Sequence, residues 1–416
     1  MANLRTEFCG LEFKNPIVVA SAEPGNSLEN IKECIDHGAG GVIIKTVGDI
    51  PAMQTLTNNS KYAILNDKGG LIKGKVPRSF FFYSRSGYAK EYYEDWIPIL
   101  KEAQAYAREH DSHIIGNIAS DTIEGWIKLA KVMKDCGIEL VELNYQCPHP
   151  TDYTGPKEGN WIAQDANVTT EVTRRILEAV DINAMVKLTP ETHNLTTIAK
   201  AAYDAGAGSV AVNSRFVGFA VDIDNAEPYI GGPAGIGGPW VKYMTLRWIN
   251  EIYSKYDIPM SGSNGIYDGR DAIEYFMSGA KIMQVCSVLM LRGIEWLPKI
   301  IAQVDKFLDE NGYEDLDSIY GVASKKSQTL QQLFEAEPVY ALIDHDKCKF
   351  PKCAICVKMC FYDALHIGSD RIDTYPDKCI GCDLCENVCP FDALHMTPDK
   401  KLALSVSATP LEKPAA

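Results

Sequence analysis

The sequence predicts an α/β protein in which a (β/α)8 barrel precedes a small α+β domain. Three observations support this: eight short apolar runs alternating with helical periodicity over residues 1–310, no GxGxxG after the first run, and eight cysteines crowded into the last fifth of the chain. The runs are Ile17–Ala20, Gly41–Lys45, Ile114–Ala119, Leu140–Tyr145, Ala184–Leu188, Val210–Asn213, Ile258–Gly262 and Ile282–Cys286. Each is apolar on both faces and bounded by polar residues or glycine, as the strands of a buried parallel sheet are. Between them lie helical patterns such as Ser27–His37, Ile123–Cys136, Asn167–Val180 and Arg270–Ser278. Several end at a glycine, as in DHGAGG, DCG, DAGAG and MSGA. An open doubly wound sheet is the rival architecture, weakened by the missing glycine fingerprint.

The 416 residues exceed one small core, so a large domain and a small one are expected. The expected boundaries are a barrel over 1–310, a polar connector over 311–340, a cysteine-rich domain over 341–397 and a flexible tail over 398–416. With 41 basic against 55 acidic side chains, the formal charge of −14 argues against nucleic acid as a partner. The N-terminus, MANLRTEFCGLEF, lacks an apolar signal core, and no run approaches the ~18 apolar residues of a membrane span. A cytoplasmic protein away from membranes is the expectation. The 13 cysteines fit that reducing setting, since eight have ligand spacing rather than a disulfide pattern.

Those eight are Cys348, Cys353, Cys356 and Cys360, then Cys379, Cys382, Cys385 and Cys389. The second run is C-x2-C-x2-C-x3-C-P, the spacing of two-cluster bacterial ferredoxins. The first keeps the later gaps, widens the first to four residues and has Phe361 in place of proline. Each run begins with DKC, and Asp-Ala-Leu-His starts three residues after its last cysteine. This internal duplication predicts a 2[4Fe–4S] ferredoxin-like fold in which the fourth cysteine of each run crosses to the other cluster. Cys348, Cys353, Cys356 and Cys389 then hold one cluster; Cys379, Cys382, Cys385 and Cys360 hold the second. Structural zinc is the alternative, disfavoured by the interlocked spacing and the repeat. Cys9, Cys34, Cys136 and Cys286 read as core fillers, although Cys286 also closes the last strand.

In a barrel of this kind chemistry sits where strands end. Those ends carry Ala20-Ser21, Lys45-Thr46, Asn117, Asn144, Lys187, Asn213-Ser214, Ser263-Asn264-Gly265 and Cys286-Ser287. Two lysines among apolar strands call for a counter-charge, and a reduced flavin offers one near its N1. The asparagines suit the flavin's pyrimidine edge. The segments GGPAGIGG, ending at Gly238, and GSNG bring backbone N–H groups toward a phosphate. Taken singly, a lysine can pair with a carboxylate and an asparagine can cap a turn; the alignment of all the strand ends favours flavin. Cys147, just past the fourth run, is the candidate for proton transfer. It opens a loop, HPTDYTGPKEGNWIAQ, with glycines at 155 and 159 that suit closure over substrate.

The stretch ELNYQCPHP, with VKLTP and QVCS further on and ASAEP and IIKT before it, resembles the dihydroorotate dehydrogenases. It resembles more closely the flavin domain of dihydropyrimidine dehydrogenases, which also carry a two-cluster ferredoxin segment after the barrel. The resemblance spans nearly the whole chain. It implies FMN in the barrel, a cyclic substrate against the flavin face and Cys147 as acid–base residue. It further implies that Lys45, Asn144, Lys187 and Asn213 touch flavin or substrate, with Cys286-Ser287 beside the phosphate. The region after the second strand departs from the family: RSFFFYSRSG stands where pyrimidine reducers carry an Asn-x-Glu element. Tyr83 and Arg85, with Asn144, Asn213 and Ser214, are therefore the expected substrate contacts. The expected reaction adds or removes hydrogen across a ring carbon–carbon bond. The outside electron partner is an NAD(P)H- and FAD-containing subunit or a soluble ferredoxin, and family analogy suggests a homodimer. Two alternatives stay open: the same chemistry on an aromatic or heteroaromatic acid, and an electron-relay subunit with no small-molecule substrate.

Overall fold

The computed structural model describes residues 2–145 and 162–405. Cys147 and most of the loop that follows it lie outside the described residues. The chain divides into two units, Met1–Ser327 and Gln328–Ala416.

The first unit is a closed barrel. Its strands are β1 (Ile17–Val19), β2 (Gly41–Ile43), β3 (His113–Ala119), β4 (Leu140–Asn144), β5 (Asn183–Lys187), β6 (Ser209–Val212), β7 (Met260–Ser263) and β8 (Ile282–Val285). All eight are parallel; β8 pairs with β1 through Met283↔Ile17, and β2 pairs with β3 through Gly41↔His113. Each expected run overlaps one of these strands, with boundaries that differ by one or two residues at most. Helices α1 (Leu28–Asp36), α2 (Tyr93–Glu109), α3 (Ile123–Asp135), α4 (Ala166–Ala179), α5 (Leu195–Asp204), α6 (Lys242–Lys255), α7 (Gly269–Ser278) and α8 (Leu297–Glu310) follow the strands in turn. Several of their starts are capped by side chains: Ser27 accepts from the Asn30 amide, Thr122 from Gly125, and Asp268 from Asp271.

The lower barrel is filled with apolar side chains. Val18, Ile43, Ile115, Leu140, Met185, Ala211 and Ile282, from seven of the eight strands, form one cluster with Phe8 and Phe13. The two phenylalanines come from a hairpin, Thr6–Phe8 paired with Leu11–Phe13, which stoppers that end. Its turn residues Cys9 and Gly10 have φ of 52° and 72°, the pattern of a tight two-residue turn. Above this floor lies a polar layer. Glu142, fully buried, accepts hydrogen bonds from Asn117 (2.6 Å), Lys187 (2.9 Å) and Gln284 (2.7 Å).

Sequence periodicity did not reveal the cover of the mouth. Lys61–Leu65 and Phe81–Arg85, from the insertion after β2, join Phe216–Gly218 and Ala234–Gly237, from the insertion after β6, in a four-stranded antiparallel sheet. The region read as a substrate loop is thus a strand, and half of the GGPAGIGG segment, Ala234–Gly237, is strand rather than phosphate loop. The region expected as a connector begins inside the barrel unit. Leu316 and Ile319 are buried in its core, and Ser324 donates to the Ser278 carbonyl at 2.8 Å. No helix among the described residues is long and apolar enough to cross a membrane.

The second unit contains two antiparallel strand pairs, Tyr340–Ile343 with Leu394–Thr397 and Leu365–Ile367 with Ile372–Thr374. Two short helices, Ile355–Met359 and Leu384–Asn387, follow the cysteine loops. The duplication seen in sequence recurs in geometry. Asp363 and Asp392 both have positive φ, 52° and 49°, and in each half the next amide, Ala364 or Ala393, donates to the preceding cysteine sulfur at 3.3 Å. Lys400–Ser405, placed in the expected tail, is helical, with Ala403 fully buried.

The Phe13 ring packs against Phe8 and, at 4.6 Å between ring centroids, against His113. Replacing Phe13 with alanine is expected to destabilise the barrel by about 3–5 kcal/mol, read as a lowered midpoint of its unfolding transition.

Candidate active site at the barrel mouth

The carboxyl ends of the strands open into one cleft with about 1090 Å³ of atom-free space, part of it continuous with solvent. Thirteen expected positions line it: Ala20, Ser21, Lys45, Thr46, Asn144, Lys187, Ser214, Gly238, Ser263, Asn264, Gly265, Cys286 and Ser287. Parallel register explains the convergence. Lys187 pairs with Asn144 across β5 and β4, and Ser263 with Gln284 across β7 and β8, so residues at equal height on adjacent strands meet at one rim. Asn117 and Asn213 lie just behind the lining, both fully buried.

The two lysines do not wait for a ligand charge. Lys187 is paired with Glu142 at 2.9 Å, and Lys45 with Glu23 at 2.8 Å. The premise that a bound anion must neutralise them therefore fails, because each has its own carboxylate. Glu23 is held unusually firmly. Its Oε1 accepts from Lys45 Nζ (2.8 Å), Tyr62 Oη (2.5 Å) and Ser86 Oγ (2.9 Å). Burial alone would raise its carboxyl pKa, but the Lys45 charge and these hydrogen bonds hold it at about 2. Burial and then the Glu23 charge push the Tyr62 phenol above its ordinary value. Burial also pushes the Cys286 thiol up to about 11, which suits a packing role.

Tyr83 and Arg85 are corrections. They do not line the cleft, because side chains alternate along Phe81–Arg85. Phe82 and Ser84 face the cleft, as do Ser86 beyond the strand and Tyr62, the cross-strand partner of Ser84. Tyr83 points the opposite way, fully buried among Ala63, Leu65, Ile230 and Ala234, with its hydroxyl on the Gly232 carbonyl at 2.5 Å. A one-residue shift in facing reverses every side chain of a strand. The arginine that does line the cleft is Arg215, which donates to the Ser84 carbonyl at 3.2 Å. An ideal Cβ on Gly235 would lie 2.9 Å from the Arg215 Cζ, so glycine there makes room for the guanidinium.

Glu23, Tyr62, Ser86, Glu142 and Gln284 are further site residues that the sequence did not single out. Glu142 carried a signal, a lone carboxylate inside the apolar run LVEL. Tyr62 and Ser86 carried none, since only the cover sheet brings them to the mouth.

The residues fit a planar polar cofactor with a phosphate. Asn117 Oδ1, Asn213 Oδ1 and Asn264 Nδ2 are buried without hydrogen-bond partners among the described residues, and such atoms are costly unless a ligand satisfies them. Asn213 and Asn264 hold left-handed backbone at φ of 63° and 71°, which asparagine tolerates better than most residues. Next to Asn264, Gly265, with φ of 74°, could not carry a Cβ, which would lie 2.8 Å from the Lys242 backbone nitrogen. This leaves bare main chain in the same cleft wall as Ser287, as an anion-binding loop requires.

In the second unit the cysteines gather into two quartets. One hollow is lined by Cys348, Cys353, Cys356 and Cys389, the other by Cys360, Cys379, Cys382 and Cys385. Each quartet combines three cysteines of one run with the last cysteine of the other run.

Comparison with known proteins agrees with this architecture. Residues 3–308 match the family model described as dihydroorotate dehydrogenase, and residues 372–395 match that of the 4Fe-4S binding domain. The chain belongs to the dihydroorotate dehydrogenase family. It is 30% identical over 322 residues, 77% of this chain and 98% of the relative, to the protein named dihydroorotate dehydrogenase B (NAD(+)), catalytic subunit, of Methanocaldococcus jannaschii. The protein of that name from Pyrococcus furiosus is 27% identical over 325 residues, 78% of this chain and 99% of the relative. The NAD-dependent dihydropyrimidine dehydrogenase subunit PreA of Escherichia coli K12 is 26% identical over 373 residues, 88% of this chain and 86% of that protein. The chain is accordingly an oxidoreductase of CH–CH groups, with FMN and [4Fe–4S] clusters as its cofactors.

Because the Glu23 carboxyl pKa is lowered from 4.5 to about 2, its ionised form stabilises the fold above the unfolded value, and that contribution is lost as pH falls from about 4.5 toward 2. The gap in melting temperature between wild type and Glu23→Gln is therefore expected to close on acidification across that window, and thermal unfolding at a series of pH values checks it.

Proposed function

We propose that the chain is the catalytic subunit of a dehydrogenase or reductase acting on the carbon–carbon bond of a pyrimidine-like ring. The observation that carries this is the meeting of thirteen strand-end positions in one cleft, in a chain that also gathers its cysteines into two quartets. FMN, when bound, supplies the hydride acceptor or donor and joins two-electron chemistry to one-electron carriers. The protein's residues bind, orient and move protons around it. Lys187, fixed by Glu142, presents a positive charge from the barrel axis, and Asn144, whose amide donates to Thr46 at 3.1 Å, presents a second polar group beside it. Cys147 Sγ gives or takes the proton at the ring carbon next to the one that exchanges hydride. The cover sheet limits water at the mouth, with Phe82 facing the cleft.

Each cysteine quartet holds one [4Fe–4S] cluster. Electrons enter or leave through a NAD(P)H- and FAD-containing partner subunit or a soluble ferredoxin. Support for a partner comes from the relatives, whose names call them subunits of NAD-linked enzymes.

Protein purified without air is expected to release FMN on acid treatment and to contain about eight irons per chain; absence of FMN would overturn the reading. Cys147→Ala should retain FMN but lose about 100-fold or more in turnover, measured with dihydropyrimidine or pyrimidine substrates under anaerobic conditions. Cys389→Ser should remove the cluster bound by Cys348, Cys353 and Cys356 and leave the other, seen as roughly half the iron and one remaining paramagnetic signal on reduction.

A further inference from the structure

Glu23 is a carboxylate in the wall of the cleft that the mechanism above leaves without a task. One of its oxygens, Oε1, receives three donors, from Lys45, Tyr62 and Ser86. Its second oxygen, Oε2, takes no hydrogen bond among the described residues. The side chain remains 32% exposed and lines the cleft. The three donors come from three separate pieces of chain: the end of β2, the strand Lys61–Leu65 and the turn after Phe81–Arg85. Such an arrangement fixes the carboxylate plane and keeps it charged, and both effects favour recognition by a preorganised acceptor.

The phosphate of a flavin could not lie against this carboxylate, because like charges repel. The bare main chain at Gly265 and Ser287 is the place for that phosphate. Two of Glu23's partners, Tyr62 and Ser86, come with the cover sheet rather than with the glycine segments, which puts Glu23 among the side chains that would face a ring. An ionised carboxylate there accepts hydrogen bonds from ring N–H groups and opposes a ring carboxylate. The cation nearest to it, Lys45, is already neutralised by it. Among the described residues of this rim Arg215 could favour an anionic ring, and its Nη1 is engaged by Ser84.

We propose that Glu23 is a specificity-determining residue, whose carboxylate reads an N–H donor of a neutral lactam ring and disfavours rings bearing a carboxylate. The inference rests on the pyrimidine reading above and refines it. The names of the relatives divide on this same feature, since dihydroorotate carries a ring carboxylate and the simple dihydropyrimidines do not.

The test is equilibrium binding of uracil and of orotate to the anaerobic holoenzyme, followed through the absorbance of its flavin. Wild type is expected to bind uracil at least about tenfold more tightly than orotate, and Glu23→Gln to shift that ratio toward orotate by about 10- to 100-fold. Tyr62→Phe, which removes one of the three donors, should shift the ratio in the same direction by less. FMN content per chain reports whether each variant is folded, and if Glu23→Gln fails to retain FMN the Tyr62→Phe ratio decides. A wild type that prefers orotate, or a ratio unchanged in the variants, overturns the role of Glu23 and leaves the pyrimidine reading standing. Failure of both rings to perturb the flavin in wild type overturns the pyrimidine reading itself, and this inference with it.

Discussion

The barrel is organised around a charge at its axis. Glu142 has no exposed surface, and an isolated buried carboxylate is costly enough that it would normally be neutralised. Here it receives three donors, from Asn117, Lys187 and Gln284, so strands β3, β5 and β8 are tied to β4 across the barrel interior. The pairing keeps Lys187 in place at the base of the cleft. It also separates the apolar lower barrel, stoppered by Phe8 and Phe13, from the polar mouth. Burial of such a pair adds little net stability compared with a well-packed apolar core. Its role is better explained by the ammonium group it positions than by the fold it supports.

A second ion pair, Lys45 with Glu23, repeats the arrangement at the rim in a different setting. There the carboxylate is part of the cleft wall, and its partners come from the cover sheet as well as from the barrel. The cleft wall thus has two unlike kinds of lining. One is built from glycine main chain and hydroxyl groups after β6, β7 and β8. The other is built from charged and aromatic side chains under the cover sheet. A ligand that carries both a phosphate and a flat polar ring suits these two kinds of lining. The cover sheet is the part that departs from a plain barrel, and it supplies Tyr62, Phe82 and Ser84 to the mouth.

The second unit follows a simpler rule. Two copies of one short motif fold alike, and each copy lends its last cysteine to the hollow lined by the other copy's first three. The Ala364 and Ala393 amides, each aimed at such a crossing cysteine, occupy equivalent positions. Hydrogen bonds to cluster sulfurs raise the reduction potential, so the duplication carries an electronic feature along with the fold.

Much of this was legible in the sequence. Buried parallel strands are written as short apolar runs because both faces must be apolar, and all eight appear where those runs stand. The cysteine spacing and the DALH repeat marked the second unit for the same kind of reason: the signal is local. Strand ends such as Lys45, Asn144 and Ser263 could be assigned to the mouth because a parallel barrel brings all its carboxyl ends to one rim. Facing within the cover sheet could not be read. RSFFFYSRSG has no apolar–polar alternation, so nothing local told Ser84 from Tyr83 or Arg85, and only pairing with Lys61–Leu65 and Ala234–Gly237 decided which faced the cleft. The counter-charges were hidden for a related reason. Glu23 meets Lys45 across 22 residues of chain and Glu142 meets Lys187 across 45, separations that only the parallel pairing of neighbouring strands brings within hydrogen-bonding distance.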